Sequence, residues 1–177
     1  IASMQMTALF AHCYVDLEHP LAPAAVVSTE RAVRLVIFVH GWGGGAYESW
    51  GDFDTPPNDD WWRQADLLFV DYPSRGDTVL AAADRIKAYV GDFYPVPHEP
   101  MLVVGDIAVR ADVTAPYEEL VLVGHSMGGL VLRRVMVDEL DEWEFFGADP
   151  QKRPPVLDGV LRLFSPASAG FVPRGRY

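Results

Sequence analysis

The sequence predicts an α/β domain, a mainly parallel sheet with helices on both faces, on three observations. Two apolar runs, Leu35 to Val39 and Leu120 to Val123, lack the polar alternation of a half-exposed strand, so both read as strands buried on two sides. Each runs directly into a glycine-rich turn, His40-Gly41-Trp42-Gly43-Gly44-Gly45 after the first and Gly124-His125-Ser126-Met127-Gly128-Gly129 after the second. Beyond the second turn Met127, Leu130, Val131, Val135 and Val137 return at roughly helical spacing, with Arg133, Arg134, Asp138 and Glu139 on the polar side.

The other elements follow in order. Residues 5–15 and 24–28 read as short strands with a turn at Pro20 and Pro23 between them, forming an N-terminal part over residues 1–30. Glu48 to Asp60 is polar and broken by Pro56 and Pro57, and Trp61 and Trp62 start a short helix. Asp66 to Tyr72 is a third apolar strand, ended by Pro73. A helix is expected from Thr78 to about Phe93, with Asp77 as its N-cap and Val79, Leu80, Ala83, Ile86 and Val90 on one face. Residues 95–117, with prolines at 95, 97, 100 and 116, interrupt the alternation as a surface insertion. Val156 to Phe164 reads as a further strand, ending at the turn Ser165 to Gly170.

A length of 177 residues suits one domain, 1–177, able to bury a substantial core without disulfides. Half of the residues are hydrophobic and 22% are charged, a globular composition. The net charge of -11 argues against nucleic acid as a partner. The acidic run Asp138 to Glu144 reads as a solvated helix end, and neither a metal cluster nor a cofactor motif occurs; no cofactor is expected. Cys13 has no second cysteine to pair with and reads as a core residue. No apolar run reaches the roughly 18 to 20 residues a membrane helix needs, so a cytoplasmic location is expected, although a chain beginning at Ile1 can have lost a leader.

The residue to explain is Ser126. A chain passing from strand to helix within so few residues brings the positions two before and two after the serine together, and Gly124 and Gly128 remove the side chains that would collide. Such a turn lifts the hydroxyl above the carboxyl edge of the sheet and aims the first helical N–H groups at it. This Gly-x-Ser-x-Gly elbow resembles that of the α/β-hydrolase family, and the loop from His40 is similar to the family's His-Gly oxyanion loop. It lacks the Gly-Lys-Ser/Thr ending of a phosphate loop and the spacing of a dinucleotide loop.

The resemblance covers roughly residues 33–170 and is specific at 40–45 and 124–129. It implies a serine hydrolase acting on a small carboxylic ester or related acyl substrate through an acyl-enzyme on Ser126, with Met127 and Trp42 N–H groups forming the oxyanion hole and His40, Gly41, Gly124, His125 and Gly128 supporting them. Segments 47–50, 71–74 and 165–170 look like the serine esterase and lipase-like branch. Trp42, Trp50, Trp61 and Trp62 either line an acyl pocket or are ordinary packing residues.

A serine needs a base, and the family places its acid and then its histidine after the nucleophile. No histidine follows His125, which lies next to the serine and is expected to point away from its hydroxyl, and His12, His19 and His98 precede the elbow. Three readings stay open: a sheet incomplete at its C-terminal edge, with acid and base in a missing C-terminal segment; a partner chain that completes the site; and a hydrolase-fold binding protein without catalysis.

Overall fold

The computed structural model describes residues 4–7, 12–50 and 63–164. Among these, seven strands form one sheet: β1 (Met4–Thr7), β2 (His12–Asp16), β3 (Ala24–Ser28), β4 (Arg34–Val39), β5 (Ala65–Val70), β8 (Glu119–His125) and β9 (Val160–Phe164). The short strands β6 (Val103–Val104) and β7 (Ile107–Ala108) pair separately. The sheet order is β1-β2-β3-β5-β4-β8-β9, antiparallel from β1 through β5 and parallel from β5 to β9. The stretch 5–15, expected as one strand, contributes two, which pair with Met6 opposite Cys13.

The central strands are buried on both sides, as their unbroken apolar runs require. Leu35, Ile37 and Val39 of β4 join one hydrophobic cluster while Val36 and Phe38 join the other, and β5 divides Leu68 and Val70 from Leu67 and Phe69 in the same way. Cys13 lies in the first cluster, where burial raises the pKa of its thiol.

Helix α1 (Val79–Tyr89) and helix α3 (Met127–Phe145) pack on the first cluster and on each other. The cap of α1 is Thr78, not Asp77: Thr78 Oγ1 accepts from Ala81 N at 3.1 Å, while Asp77 takes the Arg85 guanidinium at 2.9 Å. The α-helix ends at Tyr89, and one 3-10 turn continues it through Asp92. Its buried face is Ala82, Ala83 and Ile86, leaving Leu80 outside. In α3 the buried set is Gly128, Gly129, Val131, Leu132 and Val135, whereas Leu130 and Val137 face outward. A helix wedged between sheet and neighbour buries one stripe, and these two apolar residues fall outside it. The acidic positions of α3 are tied down in part, Asp138 by Arg134 and Glu139 and Glu142 by Lys87 of α1. The strand expected over 156–164 begins with a 3-10 turn, Pro155–Asp158, before β9.

Residues 95–117 carry a short helix, α2 (Glu99–Leu102), and the β6–β7 pair. Met101 and Leu102 are fully buried, and Arg110 is buried in a bidentate pair with Asp66, both contacts at 2.8 Å. Tyr117 Oη donates to Asp66 Oδ2 at 2.6 Å and Ser28 N donates to Oδ1 at 2.9 Å. Burial and the Asp66 carboxylate push the Tyr117 phenol well above its ordinary pKa, so it remains a donor. Asp66 is the second residue of β5, about 13 Å from that strand's carboxyl end. The excursion is thus fastened at the amino end of a central strand, the end away from the glycine-rich loops. Replacing Arg110 with methionine leaves a buried carboxylate without its counter-charge, and a loss of about 3–5 kcal/mol in denaturant unfolding is expected.

His98 packs against Phe93 (centroids 4.9 Å apart) and His19 (5.5 Å), and burial and then His19 lower its pKa, with Asp92 opposing. A folded-state pKa below the unfolded value of about 6.5 means that the unfolded chain binds the extra proton first, so stability present above that pH is lost as pH falls through the folded value. His98→Gln should flatten this acid limb in unfolding measurements across the pH series.

Candidate active site

Strands β4 and β8 are parallel neighbours, with Val39 opposite Gly124, yet their onward connections diverge. The chain leaves β4 for β5 on one side and leaves β8 for β9 on the other. Neighbouring strands with opposed exits open a crevice at their carboxyl ends. The loop from His40 and the turn at Ser126 both begin there.

Ser126 has φ 52° and ψ −119°, a left-handed backbone conformation that a serine holds only under strain. The expected closeness of Gly124 and Gly128 holds, since a Cβ on Gly124 would stand 2.9 Å from the Gly128 carbonyl carbon, and Gly129 lies nearer still. A Cβ on Gly124 would lie 2.6 Å from the Cα of Gly129, whereas a Cβ on Gly128 would overlap the Val39 carbonyl oxygen and lie 2.6 Å from that of His40. The third glycine of the motif therefore closes the elbow on itself, and Gly128 seats it against β4.

Gly41 joins the two loops. A Cβ there would stand 3.0 Å from the Cβ of Ser126 and 3.0 Å from Nδ1 of His125. His125 turns its ring to the edge of Trp50, centroids 6.3 Å apart, and makes no hydrogen bond to Ser126. Ser126 Oγ has no hydrogen-bond partner among the described residues, and neither Trp42 N–H nor Met127 N–H donates to another described residue. One hydroxyl on the elbow and two backbone N–H groups, one from each loop, are thus left without partners among the described residues.

The loop at 40–45 is held from the turn after β5. His40 is fully buried, with Nε2 3.1 Å from Asp71 Oδ1 and Nδ1 2.8 Å from the Gly41 carbonyl, so each ring nitrogen faces an acceptor. Tyr72 stacks on the His40 ring at 4.5 Å and donates its hydroxyl to the His40 carbonyl at 2.7 Å. Burial pushes the Tyr72 phenol up to about 12, which keeps that donor protonated. Ser74 Oγ accepts from Gly43 N and Ser49 Oγ from Gly45 N, both at 2.9 Å, and Gly44 N returns to the Gly41 carbonyl at 3.1 Å. Asp71, Tyr72, Ser74 and Ser49 in these roles are invisible to motif reading; the available signal is that 71–74 follow the strand adjacent to β4.

The tryptophans separate. Trp50 is 3% exposed and packs edge-on against Phe38 at 4.9 Å, a core residue rather than part of a pocket wall, whereas Trp42 is 68% exposed on the loop from His40. Trp61, Trp62 and the turn at 165–170 lie outside the described residues.

The family model described as the alpha/beta hydrolase family matches residues 36–177, spanning both loops and every parallel strand. The chain belongs to the α/β-hydrolase family. Neither a curated protein nor a solved structure matches this hydrolase-family chain. Its sheet, mainly parallel with helices packed on it, is that of the family, and the two glycine-rich loops fall at the carboxyl ends of β4 and β8. No helix among the described residues is long and apolar enough to cross a membrane, and no described group of His, Cys, Asp and Glu is arranged to hold a metal ion.

Proposed function

We propose that this α/β-hydrolase is a serine hydrolase of the esterase and lipase-like kind, cleaving a carboxylic ester or related acyl compound through an acyl-enzyme on Ser126. The observation that carries the reading is the strained Ser126 backbone with an unpartnered hydroxyl on a turn that Gly41 of the other loop approaches closely, the N–H groups of Met127 and Trp42 also having no partner among the described residues. The hydroxyl attacks the acyl carbon, the carbonyl oxygen gains negative charge, and the two N–H groups stabilise it as it forms. The dipole of the 19-residue α3 adds to the field at that point. His40, Gly41 and Gly128 hold the two loops in register, His125 packs against Gly41, and Gly124 with Gly129 lets the turn close.

The proton on Ser126 still needs a base. We assign base and acid to residues outside these 177, in a further segment of the protein or a partner chain, because no histidine follows His125 and no described histidine bonds to Ser126. Hydrolysis of short-chain nitrophenyl esters by the full-length protein and by its Ser126→Ala variant tests the reading: activity must vanish with the hydroxyl. A full-length sequence with no acid and histidine beyond residue 177, together with no hydrolysis, would favour a binding protein on the hydrolase fold.

A further inference from the structure

Beside the oxyanion-type loop runs an open groove of about 600 Å³, lined by Pro20, Gly43, Gly44 and the turn from Asp71 to Gly76. One reverse turn separates it from Gly41, since Gly44 N bonds back to the Gly41 carbonyl, and a Cβ on Gly41 would stand 3.0 Å from that of Ser126. Residues joined by such a turn lie within about 7 Å of each other, so a substrate with its acyl carbon at Ser126 reaches the groove with only a few further atoms.

The charge in this groove is unusual for the chain. Arg75 is exposed, its guanidinium carbon 5.8 Å from the centre of the exposed Trp42 ring, and no carboxylate pairs with it among the described residues. Its side chain passes across Gly43, whose φ of +72° and missing Cβ leave room for it. Asp71 shares the groove, but its carboxylate is engaged with His40 and forms no ion pair with Arg75. Many other described basic side chains are paired: Arg31, Arg34, Arg85, Lys87, Arg110, Arg134, Lys152 and Arg153 all have carboxylate partners, as an excess of 25 acidic over 14 basic residues makes easy. A guanidinium left free here, over the Trp42 indole and against Gly43 of the loop that meets the elbow at Gly41, has the planar donor fork that recognises a carboxylate or phosphate.

We infer that Arg75, supported by Trp42, makes this site selective for substrates carrying an anionic oxygen group, a carboxylate or a phosphate, a few atoms from the scissile acyl bond. This specificity rests on the serine-hydrolase reading of the same site. The net charge of -11 makes the surface as a whole repel such a substrate, and the unpaired Arg75 offsets that repulsion within the groove.

Calorimetric binding to the Ser126→Ala protein tests the inference without turnover. The ligands are monomethyl succinate, with a carboxylate on the acyl side, 2-butyryloxyethyl phosphate, with a phosphate on the alcohol side, and uncharged dimethyl succinate. At least one anion should bind about tenfold more tightly than the neutral diester, with salt weakening the preference. Adding Arg75→Gln should abolish the preference and Arg75→Lys should restore part of it, with thermal melts showing all variants folded. Whichever anion shows the preference identifies the group and its side of the bond. Equal binding of all three ligands, no binding of any, or a preference that survives Arg75→Gln overturns the inference. Fluorophosphonate labelling of the parent protein, run separately, reports whether Ser126 is a nucleophile, so the two readings fail independently.

Discussion

Replacing Gly128 with valine is expected to cost the protein more than about 3 kcal/mol of stability and to abolish hydrolysis together with it. The added Cβ would occupy the space of the Val39 carbonyl oxygen and lie 2.6 Å from that of His40. Both obstacles are backbone at the end of a central strand, paired through β5 on one side and β8 on the other. Neither can swing aside as a flexible side chain would. Relief therefore requires α3 to move away from β4, which separates Met127 N–H from Trp42 N–H and uncovers the apolar face that Val131, Leu132 and Val135 bury. Chemical denaturation of the variant measures the first loss and an ester assay the second. A soluble variant with unchanged midpoint and activity would show that the elbow does not rest on β4.

The second large effect is a separation of activity from stability at Ser126. Ser126→Gly should lower hydrolysis by about 10⁴-fold or more, because the nucleophile is gone and only binding and oxyanion contacts remain. The same change should raise stability by about 1 kcal/mol. A serine at φ 52° and ψ −119° carries strain of about 1–3 kcal/mol, which glycine removes, while the greater freedom of glycine in the unfolded chain returns only about 0.5–1 kcal/mol. Ser126→Ala, with the Cβ retained, should lose the activity without the gain. Unfolding curves for the three proteins distinguish a backbone strained for function from an ordinary turn, for which glycine would destabilise.

How much of this was legible in the sequence depends on whether the chemistry is local. The elbow was, because Gly124, Ser126 and Gly128 lie within five positions and the apolar run before them marks the strand. The central strands were equally legible, since β4 and β8 are buried on both faces and carry no polar interruption. Helix faces were read less well: periodicity put Leu80, Leu130 and Val137 inside, and the packing of α1 against α3 leaves them outside. Propensity at a cap also misled, because Asp77 and Thr78 are both good cap residues and only the reach of Arg85 decides between them.

What could not be read were contacts between distant segments. Asp66 looks like an ordinary strand residue, and nothing local announces that Arg110, 44 positions later, neutralises it. In the same way Asp71, Tyr72 and Ser74 support His40 and Gly43 only because β5 lies beside β4, a neighbour relation that sheet order creates. Of the two readings open for Trp50, ordinary packing holds, and only the tertiary structure decides it: the second core cluster is aromatic, with Phe38, Phe69 and Tyr47, and it takes that indole.

Whether Ser126 is an activated nucleophile is tested most directly by the intact mass of the full-length protein before and after a fluorophosphonate probe, with Ser126→Ala alongside. One adduct, mapped to Ser126 and absent from the variant, is the expected result. An unlabelled protein, or an adduct that survives in Ser126→Ala, would contradict it.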